Sequence, residues 1–221
     1  MSRPRFDDII LLITFSNQPT TRPESVSSEE YRWMLVNDFI KNFNSHCANV
    51  VVPSGRLCID ESMIHWYGQG GHWINHGLPQ YIAIERKPEN GCKIQNIACA
   101  VSGIMIRLRL VKLQKTEEER NEINEEHLTH GTKVVKELVL PWHGSNQVVC
   151  ADSYFALVTT AKEMMNVSLR FSGVVKTATK QYPMKWLSSV EMQNRGDMEG
   201  LVSKEQNQNT MHAFVWVDRE R

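Results

Sequence analysis

The sequence predicts an α/β protein in which helices cover a mixed β-sheet. Three observations predict this class: a block of alternating apolar strands, a later series in which helices and strands alternate, and two apolar runs that each end in an aspartate. With 221 residues, 41% of them hydrophobic and 23% charged, the chain has the composition of an ordinary globular protein. This length is sufficient to bury one good core.

Two amphipathic helices are predicted ahead of the strands. Apolar residues recur at steps of three and four over residues 5–15 and again over 29–45. A linker rich in proline, threonine and serine separates them at 17–28. Because no strand lies between them, we interpret these helices as the end of a helical region or as a lid on the next one.

A group of antiparallel strands is predicted in the first half of the chain. The predicted strands are a run that ends at Asp60 and residues 93–101 and 104–113, and residues 81–84 form a further alternating run. Pro88–Gly91 has the composition of a hairpin turn. In the last of these strands the alternation places Arg107 and Arg109 on the face opposite the isoleucines and leucines.

Helices and strands alternate in the second half. In order, the predicted elements are a helix at 132–140, a strand that ends at Asp152, a helix at 161–165, a strand at 169–179 and a terminal strand at 211–218. Three strands, helix, strand, helix and strand is the order of a ribonuclease H-like core, a mixed sheet flanked by helices. That fold gathers acidic residues on its first and fourth strands, where Asp60 and Asp152 fall.

The two aspartates are candidate metal ligands. Each follows a short apolar run that is typical of a buried strand, so each carboxylate is expected at a strand end. If the two strands pair, the carboxylates meet, and their repulsion is relieved by a cation between them. Carboxylate oxygens suit Mg²⁺ or Mn²⁺. The alternative is that each aspartate only caps the element that follows its strand.

Composition narrows the class of function. The formal net charge is zero, which counts against an autonomous DNA-binding protein but not against a nuclease core. No apolar run has the length of a membrane span, and the N-terminus lacks the apolar centre of a signal peptide, so an intracellular location, nuclear or cytoplasmic, is expected. The five cysteines form no CxxC pair, and no zinc site is expected.

Six short motifs in order resemble a known family. They are Arg5-Phe6-Asp7, Ile59-Asp60-Glu61, Lys87-Pro88 followed by Gly91 and Lys93, His143-Gly144-Ser145, Asp152-Ser153-Tyr154-Phe155, and Gly173-Val174-Val175-Lys176 with Lys180 and Pro183. None is specific alone, but together and in this order over most of the chain they resemble a piggyBac-type transposase or a protein derived from one.

The resemblance implies a chemistry and a set of domains. Members of this family cut and paste DNA with two metal ions held by three carboxylates, and the resemblance assigns the bridging position to Asp60 and one ion to Asp152. It implies a helical remnant of a DNA-binding and dimerisation region at 1–49, a ribonuclease H-like core at 50–186 and the start of an insertion domain at 187–221. DNA is the partner that the resemblance implies.

Departures from the family pattern predict an incomplete enzyme. The family takes its third carboxylate from a helix after the insertion, and this chain is expected to end inside the insertion, before that helix and before a zinc-binding module. The late acids are Asp218, which aligns with the insertion, and Asp197, which is expected in a turn. We therefore expect a remnant without autonomous cleavage; the alternative is a domesticated module that binds DNA or protein.

Basic residues around the strands are candidate DNA contacts. If DNA is bound, Arg107, Arg109, Lys176 and Lys180 are expected to contact phosphates near the acidic site. The alternative is that they are ordinary solvent-facing residues. An unpaired sheet edge is also expected, and it predicts self-association of the isolated chain.

Overall fold

The computed structural model describes residues 3–12, 21–65, 82–83, 90–111, 127–176, 179–204 and 210–218. The chain divides into two compact units, residues 1–126 and 127–221, and each unit is described by itself. Among the described residues, none of the helices combines the length and apolar character that a membrane crossing requires.

Unit 1 begins with two helices, α1 at Arg3–Leu12 and α2 at Ser28–Val50. The hydroxyl of Ser27 caps α2 by accepting a hydrogen bond from the Glu30 amide at 3.1 Å. Both predicted helices are present, although α2 extends five residues beyond its predicted end. The predicted linker is irregular where it is described, over residues 21–27.

The strands of unit 1 are β1 at Arg56–His65, β2 at Ile82–Ala83, β3 at Asn90–Cys99 and β4 at Met105–Leu110. All described pairings in this unit are antiparallel, and β3 is central, with β1 on one side and β2 and β4 on the other. The antiparallel block is therefore confirmed. The predicted hairpin turn before β3 lies mostly outside the described residues.

The two faces of β1 differ in burial. Residues directly opposite each other share a face, so Leu57 and Ile59 of β1 lie on the same side as Cys99 and Ile97 of β3. All four are buried. Asp60 lies on the other side, where it is exposed. Burial of one face therefore fixes which side chains of β1 reach solvent.

Helix α2 protects the outer edge of β4. The Asn44 side chain donates to the Leu108 carbonyl and accepts from the Leu108 amide, each at 2.8 Å. Leu108 lies opposite Asn96 of β3, and its main-chain groups point away from β3 to reach this side chain. One amide therefore occupies a donor and an acceptor that the edge strand would otherwise expose.

Unit 2 begins with two helices and a parallel pair of strands. These are α3 at His130–Val139, β5 at Val148–Ala151, α4 at Val158–Asn166 and β6 at Arg170–Gly173, and a 3₁₀ turn at Leu140–Trp142 follows α3. Strands β5 and β6 pair in parallel. The alternation of helix and strand is confirmed, although β6 is shorter than predicted. Its core contains Val135, Val149, Phe155 and Met164.

Three hydroxyls connect α3 to α4. Thr129 caps α3 and lies 3.0 Å from the Thr132 hydroxyl, which lies 2.9 Å from that of Thr160. Thr132 and Thr160 are fully buried. Because a buried hydroxyl without a partner is costly, the two helices depend on these bonds being complete.

Replacing Thr132 with valine should lower the free energy of unfolding by about 1–3 kcal/mol, because the Thr160 hydroxyl loses its buried partner. The double variant Thr132→Val, Thr160→Val should cost less than the sum of the two single variants. Urea denaturation of the four proteins measures this coupling. Additive costs would show that the hydroxyls do not interact.

Beyond α4 and β6 the structure contains a short helix and a hairpin. The helix α5 covers Met184–Leu187, and β7 at Met198–Lys204 pairs antiparallel with β8 at Thr210–Trp216. The terminal strand was predicted, but β7 was not. Its sequence contains Gly200 opposite Phe214 and few β-formers, so only its pairing with β8 makes it a strand.

Candidate metal-binding carboxylates

Asp60 is exposed in the middle of β1. One of its oxygens, Oδ1, accepts a hydrogen bond from the Glu61 amide at 2.7 Å. Across the sheet it faces Asn96, whose side-chain amide donates to Ser62 at 2.7 Å. The carboxylate is thus oriented by its own main chain on the solvent side of the sheet.

The expectation that the sheet stops at Asp60 is wrong. Strand β1 continues for five more residues to His65, paired with Gly91–Gln95 of β3. The first residues after Asp60 have polar side chains, so the apolar pattern of the sequence did not predict that the strand continues. Glu61 points to the opposite side and forms an ion pair with Lys93, so it lies away from the Asp60 face, as strand alternation requires.

Asp152 lies immediately after β5, as predicted. Its Oδ1 accepts a hydrogen bond from the Tyr154 amide at 2.9 Å, and its carbonyl accepts from the amides of Phe155 and Ala156. This is a turn stabilised by the aspartate side chain. Within the described ranges, the other carboxylate oxygen, Oδ2, has no hydrogen-bond partner. The capping role therefore uses only one of the two carboxylate oxygens.

The turn at Asp152 is held from three sides. Phe155 is fully buried and anchors it to the core. A Cβ added to Gly131 of α3 would lie 3.1 Å from the Tyr154 carbonyl oxygen. A Cβ added to Gly173 of β6 would lie 2.9 Å from the Ala151 carbonyl oxygen and 2.7 Å from the Ala156 Cβ. Both glycines permit close packing against the turn, so the position of Asp152 is well defined.

The candidate arginines lie on the face of the sheet opposite to Asp60. Arg107 pairs with Ile97 and Arg109 with Gln95, which both lie on the side of β3 that faces away from Asp60. Arg109 donates to the buried Gln95 side chain at 2.7 Å. The structure therefore does not bring these arginines to the face that carries Asp60, and their contact with DNA stays a prediction.

The candidate lysines lie beyond β6. Because β5 and β6 are parallel and in register at Ala151 and Gly173, the chain leaves both strands at the same end of the pair. Asp152 follows one strand end and Lys176 lies three residues beyond the other. Lys176 and Lys180 are exposed. Of the four predicted cationic residues, Lys176 and Lys180 therefore follow the end of β6, at the same end of the strand pair as Asp152.

Asp197 is a turn residue, as predicted. Its Oδ2 accepts hydrogen bonds from the amides of Asn194 at 2.8 Å and Gln193 at 3.0 Å. These bonds hold the pKa of the Asp197 carboxyl below its usual value. Its hydrogen bonds thus give the carboxylate a local structural role.

Aspartate oxygens fit a hard divalent cation. Asp60 and Asp152 each present an exposed carboxylate, the ligand type that Mg²⁺ and Mn²⁺ prefer. In the part of the chain that the structure describes, no group of three or more His, Cys, Asp or Glu side chains forms a metal cluster. Asp60 belongs to unit 1 and Asp152 to unit 2, and their convergence on one cation stays a prediction.

Comparisons with known proteins give the family and the fold. The family model described as Transposase IS4 matches residues 1–221. The chain is similar to piggyBac transposase in a cryo-EM structure of its synaptic complex with hairpin DNA, with a TM-score of 0.67 at 21% identity over 97% of this chain and 43% of that chain. Mos1 transposase, in its paired-end complex with the left transposon end, has a TM-score of 0.30 at 8% identity over 76% of this chain and 49% of that chain. No curated protein matches.

The family match and the piggyBac match agree with the elements described above. The mixed α/β, ribonuclease H-like fold is confirmed by the likeness to piggyBac transposase. The chain spans less than half of that solved chain. Because the family model covers every residue, this chain belongs to the family described as Transposase IS4 and is a piggyBac transposase-like domain of the DDE type.

Proposed function

We propose that this chain supplies two carboxylates, Asp60 and Asp152, to a divalent-metal site of a DNA-cleaving transposase. The observation that carries the proposal is the geometry of the two aspartates. Each is exposed, and each has one oxygen oriented by a neighbouring main-chain amide. Family membership supports the proposed reaction class, cleavage and transfer of DNA strands.

Mg²⁺ or Mn²⁺ is the cofactor that we propose. When bound, such ions activate the attacking oxygen and stabilise the leaving oxygen of a phosphodiester. The residues of this chain that would hold and orient the ions are Asp60 and Asp152.

Plasmid nicking tests the proposal. Supercoiled plasmid is incubated with the protein and Mg²⁺ or Mn²⁺, and Mn²⁺ binding is measured by calorimetry in parallel. We expect Mn²⁺ binding that is lost in both Asp60→Ala and Asp152→Ala, and any nicking that the parent protein shows should be lost with it. Metal-dependent nicking that persists in both variants would refute the proposal. Unchanged Mn²⁺ binding in both variants would refute the ligand assignment.

DNA is the proposed partner, because the solved piggyBac relative is a complex with hairpin DNA. We propose phosphate contacts by Lys176 and Lys180, which are exposed beyond β6, and we retain Arg107 and Arg109 as candidates on the other face of the unit 1 sheet.

Removing both lysines should reduce the salt dependence of DNA affinity. For Lys176→Ala with Lys180→Ala, the slope of log affinity against log salt should fall by about 0.9 per phosphate contact on duplex DNA. Lys185→Ala, which removes an exposed lysine on α5, is the matched control. Fluorescence anisotropy at several salt concentrations measures the slope. An equal change in the control would contradict specific contacts.

The hairpin favours a second candidate function, a non-catalytic module that binds protein. One face of it carries Met198, Val202, Phe214 and Trp216, each about half exposed or more. Exposed apolar clusters of this kind mark contact surfaces. We propose self-association through this face. Analytical ultracentrifugation of Trp216→Glu should then show less self-association than the parent protein, and an unchanged distribution would contradict the proposal.

A further inference from the structure

Unit 2 contains a cavity of about 710 Å³ between β6 and β8. Its lining includes the consecutive residues 170–175 and most of 210–216. Successive side chains of a strand point to opposite faces. A cavity lined by consecutive residues therefore meets the edge of each strand, where the main-chain groups lie, and not one of its faces.

The edge of β6 presents main-chain groups to this cavity. Its other edge is paired with β5, and the Arg170 amide donates to the Gln147 carbonyl on that side. In a parallel pair the direction of the main-chain groups alternates along the strand. The amides and carbonyls of Phe171 and Gly173 therefore point away from β5, and both residues line the cavity.

The edge of β8 presents main-chain groups in the same way. The Val217 amide donates toward β7, to the Asp197 carbonyl, so alternate residues from Val217 face β7. The Phe214 carbonyl points away from β7 and accepts a long hydrogen bond of 3.5 Å from the Tyr182 hydroxyl. His212 and Trp216 share the orientation of Phe214 and also line the cavity.

The size and lining of the cavity suit an extended peptide. Each residue of a strand rises about 3.3 Å along the strand axis, with about 4.8 Å to the neighbouring strand and about 10 Å to the next packed layer. The product is a volume of about 160 Å³ per residue. The cavity therefore has room for about four strand residues. Val158, Met184 and Leu187 line it with apolar side chains.

We propose that this cavity accepts an extended polypeptide strand that pairs with the edges of both β6 and β8. Main-chain hydrogen bonds would supply the affinity, and apolar side chains of the strand would fill the space beside α4 and α5. The proposal concerns assembly and does not depend on the metal site.

The occupant that we propose is a strand from outside this chain. The solved piggyBac chain has more than half of its length without a counterpart here, since the match covers 43% of it. We propose that this unmatched length supplies the strand, because β6 and β8 each end their sheet among the described residues.

A capped heptapeptide of alternating valine and threonine, labelled with fluorescein, is the probe. Two control peptides carry the same side chains, but every second amide is N-methylated. One control blocks the amides on one edge of the peptide strand, and the other control blocks the amides on the opposite edge. Anisotropy should show binding of the probe and affinity about tenfold lower for both controls, because each loses several hydrogen-bond donors. Equal affinity for all three peptides, or loss with only one control, would overturn pairing on both edges.

A matched pair of protein variants tests the β8 edge. His212→Pro removes an amide that faces the cavity and leaves the bonds to β7, whereas His212→Ala removes the side chain only. Peptide affinity should fall about three- to tenfold in His212→Pro and remain unchanged in His212→Ala. Circular dichroism confirms that both variants fold. Equal affinity in the two variants would refute the proposal, as would a dimer of the parent protein that only His212→Pro dissociates, because the occupant would then be a second copy.

Discussion

Ile59→Ala should lower the free energy of unfolding by about 2–5 kcal/mol. Ile59 is almost fully buried in β1 opposite Ile97, so alanine leaves a cavity that the surrounding strands fill only in part. Urea denaturation followed by circular dichroism measures the loss. Amide hydrogen exchange in β1 and β3 should show that the loss occurs in unit 1.

The adjacent residue provides the control. Asp60 points to the exposed side of the same strand, so Asp60→Ala should change stability by no more than about 0.5 kcal/mol. The two variants therefore separate the buried face of β1 from the face that carries the proposed metal ligand. Similar losses in both would show that the assignment of faces is wrong and that Asp60 is part of the core.

Gly173→Ala should destabilise unit 2 by about 1–3 kcal/mol, because the added methyl group meets the Ala151 carbonyl and the Ala156 Cβ. The strain falls on the turn that holds Asp152, so Mn²⁺ binding should weaken together with stability. Thermal denaturation measures the first effect and calorimetry the second.

Gly55→Ala is the matched control for this substitution. A Cβ at Gly55 meets no atom within 4 Å, and its φ lies outside the left-handed region. This variant should be neutral or more stable by about 0.4–1 kcal/mol, because alanine restricts the unfolded chain. If Gly173→Ala behaved in the same way, β6 would not constrain the turn.

Local patterns predicted the elements that have strong alternation or clear breaks. The position of Asp152 was predictable because four small and branched residues precede it and a turn follows. The face of Arg107 and Arg109 followed from the alternation in β4. Their separation from Asp60 did not, because that relation depends on the register across β3, which sequence spacing alone does not reveal.

Two elements could not be predicted from the sequence, for physical reasons. The second half of β1 begins with the polar residues Glu61 and Ser62, so its strand character arises from pairing with β3 and not from its own apolar pattern. Strand β7 contains Gly200 and depends on β8 for its hydrogen bonds. The glycine packing around Asp152 is a tertiary contact, and no local signal marks Gly173 as its support.

The two hydrogen bonds between Asn44 and Leu108 make the edge of β4 sensitive to deamidation. Its function depends on one nitrogen and one oxygen at the end of the same side chain. Deamidation to aspartate would replace the nitrogen donor with an anionic oxygen opposite the Leu108 carbonyl, and the two would repel. Deamidation of this single residue would expose the outer edge of β4 and allow fibril-like association through it.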